Sequence, residues 1–341
     1  MHPDAVPMID PRLAGYDFIG DVHGCGDQLV ALLGAMDYRL EDGAYRHPER
    51  HVVFVGDLVD RGTTQILALE VARAMQEAGS ATVVMGNHEF NALAWATRHP
   101  DSTDASPRYL RHRSRQNQHQ HQAFLDQVGD GSPTHHAWLE WFRTLPMWLD
   151  LGAFRAVHAC WSGPDLPVLA TAYRNNDRID DAFLLAATTE GTPEHTAVEH
   201  VLKGPEVVLP EMVGFKDRGG KLRHEARIRW WMADPVTNRD LADLPQGTKG
   251  LDPQETQVLE AWLDEPAEPE ILRFGYLDEV PLFFGHYWFE WGHNGPDHLP
   301  GPFAAGTDFS AVRGGRLVAY RWDQADAGQP LRADCLFAAP K

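Results

Sequence analysis

The chain has little cysteine, a shortage of positive charge and no long apolar run, and each shortage removes a class of protein. Three cysteines, Cys25, Cys160 and Cys335, are too few and too scattered among 341 residues for a disulfide scaffold. The 30 lysines and arginines stand against 49 aspartates and glutamates, for a net charge of −19. That balance excludes broad binding to nucleic acid or to an anionic membrane surface. No stretch approaches the roughly 20 consecutive apolar residues of a membrane helix. The first residues carry Asp4, Asp10 and Asp17 with three early prolines and no apolar segment of secretory type, so the cytoplasm is the expected location. There is no internal repeat and no long low-complexity tract. An apolar fraction of 43% is ordinary for a globular chain of this length, which can build one large domain or two small ones.

What the chain does have is three short segments of one design. Gly20-Asp21-Val22-His23-Gly24, Gly56-Asp57-Leu58-Val59-Asp60-Arg61-Gly62 and Gly86-Asn87-His88-Glu89 each follow a short apolar run. The runs, Tyr16–Ile19, His51–Val55 and Ala81–Met85, are largely β-branched or aromatic and read as buried strands. Helical patterns follow the first two motifs, near Leu29–Met36 and Thr64–Ala78; in the second, Ile66, Leu67, Val71, Ala74 and Met75 share a face. The motifs therefore fall on strand-to-helix loops at the carboxyl ends of parallel strands, where open α/β sheets place their ligands.

The side chains on those loops suit metal. Asp21 and His23 are one residue apart and can point the same way from an extended segment. Asp57 can bridge two ions through its two oxygens. Asn87 offers a neutral carbonyl oxygen, and His158 and His286 are available to complete a second site. Mixed carboxylate, imidazole and amide ligands fit manganese, iron or zinc better than calcium or magnesium.

The three motifs resemble those of the calcineurin-like phosphoprotein phosphatases, a superfamily that includes Ser/Thr protein phosphatases and bacterial diadenosine tetraphosphatases. Arg155-Ala156-Val157-His158 looks like the family's strand-then-histidine motif, and Phe283-Phe284-Gly285-His286 like its Gly-His motif. Gly306–Tyr320, with Asp308 and the turn Arg313-Gly314-Gly315-Arg316, is similar to the closing strands. Two departures stand out. Ala159-Cys160 follows His158 where glycines are common, and Tyr287-Trp288 follows His286 where threonine is common.

The resemblance implies an α/β/β/α sandwich of two mixed sheets in a single domain over residues 14–325, with an inserted cap over 164–280. It implies two divalent ions, manganese foremost and iron or zinc as alternatives. Asp21, His23 and Asp57 would hold one; Asp57, Asn87, His158 and His286 would hold the other. A hydroxide bridging the ions would attack phosphorus, Arg61 would hold phosphate oxygens, His88 would protonate the leaving group and Asp60 would orient His88. Arg227 and Arg229, ahead of Trp230-Trp231-Met232, are the candidates for a second phosphate-binding arginine. Asp308 is expected to be structural. The first substrate expectation is a phosphomonoester on protein serine or threonine; the second is the phosphoanhydride of a dinucleoside polyphosphate. A non-catalytic metal-binding module is a remote third reading, since His88, Asp60 and Arg61 are all present.

The remainder carries fewer signals. Residues 101–136 read as a polar loop or solvated helix holding Arg108, Arg111, Arg113 and Arg115, with His112, His119, His121, His135 and His136 nearby. Trp138–Leu149 is apolar at helical spacing until Pro146 and reads as core. Gln254–Leu263 reads as helix. Cys25 and Cys160 lie beside the motifs; small buried fillers are the expected role, oxidation-sensitive thiols the alternative.

Overall fold

The computed structural model of the chain describes residues 9–173, 178–216, 222–232, 234–244, 251–292 and 299–340. Two mixed sheets lie face to face at its centre. The first runs in the order Asp308–Phe309, Arg316–Asp323, Gly15–Ile19, Arg50–Phe54, Ala81–Val83, with Leu336–Ala338 also paired to Arg316–Asp323. The three motif-bearing strands are parallel, with Phe18 opposite Val53 and Val53 opposite Thr82. Arg316–Asp323 closes the other side antiparallel, with Phe18 opposite Tyr320. The second sheet runs Ala304–Gly306, Leu282–Phe284, Arg155–Val157, Trp148–Asp150, and its first three strands are parallel. This is the expected pair of mixed sheets with helices outside.

Strand alternation decides what each face buries. Tyr16 and Phe18 point between the sheets and pack with Val53, Phe154, Ala156, Phe283, Tyr320 and Trp322. Phe18 stacks on Phe283 with centroids 3.6 Å apart and meets Phe154 edge-on at 4.9 Å. Ile19, Val52 and Phe54 face the other way, in one core with residues of the helices Gly26–Ala35 and Gln65–Glu77. Asp17 also faces outward and is fully buried. It survives there because Arg50 and Arg321 each approach its carboxylate, at 3.0 and 3.1 Å, and the Tyr38 hydroxyl donates to it at 2.8 Å.

The polar stretch after the third motif is more ordered than its composition suggests. Ser114 caps a helix, Arg115–Val128, by accepting from the Asn117 N–H. Its buried residues are His121, Phe124, Leu125 and Val128, the i, i+3, i+4, i+7 stripe of an amphipathic helix. A second helix, Pro133–Phe142, buries Trp138, Leu139, Trp141 and Phe142, so the tryptophan-rich segment packs as the expected core.

Arg155–Val157 and Leu282–Phe284 are neighbours in the second sheet, so the chain between them leaves the sandwich and returns. It forms helices including Asp181–Thr188, Pro193–Lys203 and Pro253–Leu263, and a small sheet of Ala242–Asp243, Glu225–Ile228 and Glu206–Val208. That sheet has its own core of Leu209, Val213, Ala226, Ala242, Leu259 and Leu263. Among the described residues, no helix is long and apolar enough to cross a membrane.

Candidate metal centre

The three parallel strands of the first sheet end side by side, and their loops meet the loops after Arg155–Val157 and Leu282–Phe284. Among the described residues, nine non-glycine residues have positive φ, and five are His23, Asp57, Asp60, Arg61 and His286, at +45°, +53°, +72°, +71° and +62°. A left-handed backbone at such residues costs about 1–3 kcal/mol each and persists only where the surroundings enforce it. Close packing supplies part of that enforcement. A Cβ on Gly56, whose φ is +104°, would lie 2.6 Å from the Gly86 backbone; one on Gly285 would lie 2.1 Å from an Asp21 oxygen. Only glycine lets these loops approach so closely.

Glu89 ties two motifs together. Its Oε1 accepts from the Leu58 and Val59 N–H groups at 2.8 and 3.2 Å, and its Oε2 from Asp57 and Gly86 at 2.9 Å each. Burial and the nearby Asp57 charge push Glu89 up to about 7, against those four donors. With two donors on each oxygen no position is left for a proton, so the carboxylate is the form that closes this loop.

Asp57 is buried at the centre. His23 Nε2 lies 3.5 Å from one of its oxygens and His158 Nε2 lies 3.3 Å from the other. His88 Nε2 is 3.8 Å from the first oxygen. Two groups with ligand atoms close enough to share an ion result: His23, Asp57 and His88, and Asp57, His158 and His286, with Asp57 common to both. Asn87 Oδ1 is 3.0 Å from His158 Nε2. Asp21 stands at the edge of the first group, 4.0 Å from His23 Nε2, and accepts the His286 N–H at 3.2 Å.

The donor set fits a cation. His158 donates Nδ1–H to the Val55 carbonyl at 2.8 Å, so its Nε2 is a bare acceptor in the neutral ring, yet it faces Asp57 and Asn87 oxygens. Acceptors converging on acceptors need a proton or a metal ion between them. Burial opposes protonation of His158, but the Asp57 charge outweighs it and holds the ring above its ordinary pKa. His23 likewise donates Nδ1–H to the Val59 carbonyl at 3.0 Å, leaving Nε2 bare, and burial with the Arg61 charge lowers it to about 3. His286 Nε2 is buried with no hydrogen-bond partner. Asp308 is buried against Asp21; burial first, then the charges of Asp308 and Asp57, push Asp21 well above the usual carboxylate range, and burial holds Asp308 at about 6. Such a crowd of buried carboxylates is what bound metal neutralises. Asp308, expected to be merely structural, thus belongs to the wall of the centre.

Arg61 and His88 form the working edge. Arg61 donates to His23 Nε2 at 2.7 Å and to His88 Nε2 at 3.2 Å, offering its cation to both bare nitrogens. His88 donates Nδ1–H to Asp60 at 2.5 Å, and His121 donates to the other Asp60 oxygen at 2.7 Å. Despite complete burial, the two histidines keep Asp60 well below its ordinary pKa. Sequence reasoning named His121 only among the histidines of the polar stretch and gave it no part in the site; its place in the Phe124, Leu125 and Val128 stripe was the signal that it turns inward.

The two second-arginine candidates part company. Arg227 lies over the Tyr287 ring at 5.6 Å, and its charge, after burial, helps depress His286. Arg229 turns instead to the Arg239 carbonyl and is not brought to the centre. Burial raises the Cys25 thiol and pushes the fully buried Cys160 well above the ordinary thiol range, which disfavours a thiolate at both.

The calcineurin-like phosphoesterase family model matches residues 16–185. Those residues form a calcineurin-like phosphoesterase domain. Curated relatives of this calcineurin-like chain include bis(5'-nucleosyl)-tetraphosphatase PrpE [asymmetrical] of Halalkalibacterium halodurans, 42% identical over 74 residues, which is 21% of this chain and 30% of the relative. Another is the symmetrical bis(5'-nucleosyl)-tetraphosphatase of Janthinobacterium sp. (strain Marseille), 39% identical over 88 residues, 25% of this chain and 29% of the relative. The chain thus spans under a third of the length of these relatives. Among solved structures, a protein serine/threonine phosphatase from Saccharomyces cerevisiae is 12% identical with a TM-score of 0.46, covering 96% of this chain and 79% of that one.

Proposed function

We propose that the chain is a metal-dependent hydrolase of phosphate esters and anhydrides, working at the Asp57 centre. The observation that carries this is the sharing of one buried carboxylate between two pairs of imidazoles, His23 with His88 and His158 with His286, with Arg61 against the first pair. His23 and Asp57, with Asp21 beside them, would hold one ion; Asp57, Asn87, His158 and His286 would hold the other. When bound, two such ions supply positive charge for the phosphoryl oxygens and acidify a water.

The side chains divide the remaining work. Arg61 presents a planar fork to phosphoryl oxygens, exchanging its contacts with His23 and His88 for the substrate. As the oxygen of water bonds to phosphorus, the bond from phosphorus to the leaving oxygen breaks. His88 gives the leaving oxygen a proton from Nε2, and the proton lost by water passes to solvent. Asp60 holds the other His88 nitrogen, which fixes the orientation of the ring for transfer. His121 holds Asp60 in turn. Arg227 is the better-placed second arginine, and the segment over 164–280 would be the cap that narrows substrate choice.

For the substrate, the names of the curated relatives favour a dinucleoside polyphosphate over a phosphoprotein, reversing the order that the motifs suggested. The test is manganese-supported hydrolysis of diadenosine tetraphosphate and of a phosphoserine peptide, side by side. Preference for the dinucleotide is expected. Preference for the peptide would restore the phosphoprotein reading, and turnover of neither would leave a metal-binding module.

A further inference from the structure

Beyond Arg61 the rim carries an aromatic face and a second cation that the chemistry above does not use. Trp288 lies two residues after His286 and is half-buried. The Arg61 guanidinium carbon sits 5.9 Å from the indole centroid, and that of Arg313 sits 5.2 Å from the same ring. The arginine at the reaction centre and an exposed arginine outside it therefore lie over one and the same indole. Arg313 ends the short turn Ala311–Arg313, which leaves through Gly314 at a φ of +84°. The two segments are fastened together: the Phe289 N–H donates to the Asp308 carbonyl at 2.9 Å, and Phe309 packs on Phe289 at 6.0 Å and Trp291 at 5.3 Å. Trp288 and Arg313 are thus presented by a braced rim.

We propose that Trp288 and Arg313 form a subsite for the departing nucleotide of a dinucleoside polyphosphate, Arg313 taking a phosphate beyond the scissile one and Trp288 carrying the base. This rests on the hydrolase reading and deepens it. A fixed cation over the same ring as Arg61 rewards a substrate with several linked phosphates, and a phosphoserine peptide has only one. On a chain with a net charge of −19, a polyanion gains most where two arginines converge. An indole face accepts any base by stacking, worth about 5- to 150-fold in affinity per base.

The test compares wild type, Trp288→Ala and Arg313→Gln. The ratio of kcat/KM for diadenosine tetraphosphate to that for p-nitrophenyl phosphate is measured with manganese. Calorimetric binding of adenosine 5'-tetraphosphate and of inorganic tripolyphosphate is measured separately. We expect each variant to lower the kinetic ratio about tenfold or more. Trp288→Ala should weaken adenosine tetraphosphate but leave tripolyphosphate binding nearly intact; Arg313→Gln should weaken both. A kinetic ratio that stays constant, with both substrates changing alike, would overturn the subsite. Arg313 is exposed, so its variant answers even if Trp288→Ala folds poorly. Wild type inactive on both substrates would sink the hydrolase reading, and the binding data would still decide the subsite.

Discussion

Replacing Asp60 by asparagine should convert a leaving-group-tolerant enzyme into a leaving-group-sensitive one. Asp60 is buried and uses both oxygens, one for His88 at 2.5 Å and one for His121 at 2.7 Å. Asparagine has one oxygen and one amide donor, so one ring N–H must face N–H. The change removes at least one charge-assisted hydrogen bond, worth about 1.5–3 kcal/mol, and leaves a buried donor unpaired for about 1–3 kcal/mol more. Stability should fall by about 2.5–6 kcal/mol in urea unfolding. The kinetic effect is more specific. A positioned general acid contributes about 10²–10⁴-fold, but only where the leaving oxygen needs a proton. Across aryl phosphates from p-nitrophenyl to phenyl, wild-type rates should depend weakly on the leaving group. In Asp60→Asn the nitrophenyl rate should fall little and the phenyl rate by about 10²-fold or more. A uniform loss across the series would mean that Asp60 only supports the fold. No loss would refute the assignment of His88 as acid.

Other consequences can be checked together. His135 is fully buried and its Nδ1 accepts the Gly131 N–H at 3.1 Å, so protonation must break that bond; burial holds it at about 4 against an ordinary 6.5. The unfolded chain binds this proton between pH 6.5 and 4 and the folded chain does not, so stability is lost as pH falls through that window, by up to about 3 kcal/mol. Urea unfolding of His135→Gln should show a shallower acid loss than wild type, and equal slopes would contradict the reading. His121→Gln, which keeps a donor for Asp60, should retain more phenyl phosphate activity than His121→Phe; equal losses would show that His121 only fills space. Manganese at about 100 times its dissociation constant should raise unfolding free energy by about 2.7 kcal/mol. Thermal unfolding of Asp57→Asn should show a much smaller rise.

The parts that could be read from sequence are those whose chemistry is local. Asp21 and His23, Asp57 to Arg61 and Asn87 to Glu89 sit on single loops after single strands, so pattern and spacing expose them together. The strands appear where expected to within a residue or two: Gly15–Ile19, Arg50–Phe54 and Ala81–Val83. The roles that sequence did not reveal depend on long-range packing. His121 is 61 residues from Asp60, on a helix so polar that only its inward stripe betrays it. Asp308 gains meaning only beside Asp21, and Trp288 only under Arg61 and Arg313. Arg227 and Arg229 were indistinguishable because strand alternation would give them one face. The strand ends at Ile228, and Arg229 turns away. Glu89 was visible within its motif, but four N–H groups from two loops converge on it only in the folded chain.

The central claim is that one carboxylate, Asp57, organises two metal ions for phosphate hydrolysis. The most direct test is nucleotide release from diadenosine tetraphosphate by manganese-loaded protein, with Asp57→Asn prepared and assayed in parallel. The account predicts sustained turnover by the wild type and a loss of at least about 10³-fold in the variant, the scale expected when charge stabilisation of the transition state is removed. Equal rates in the two proteins, or a metal-loaded wild type that releases nothing, would contradict it.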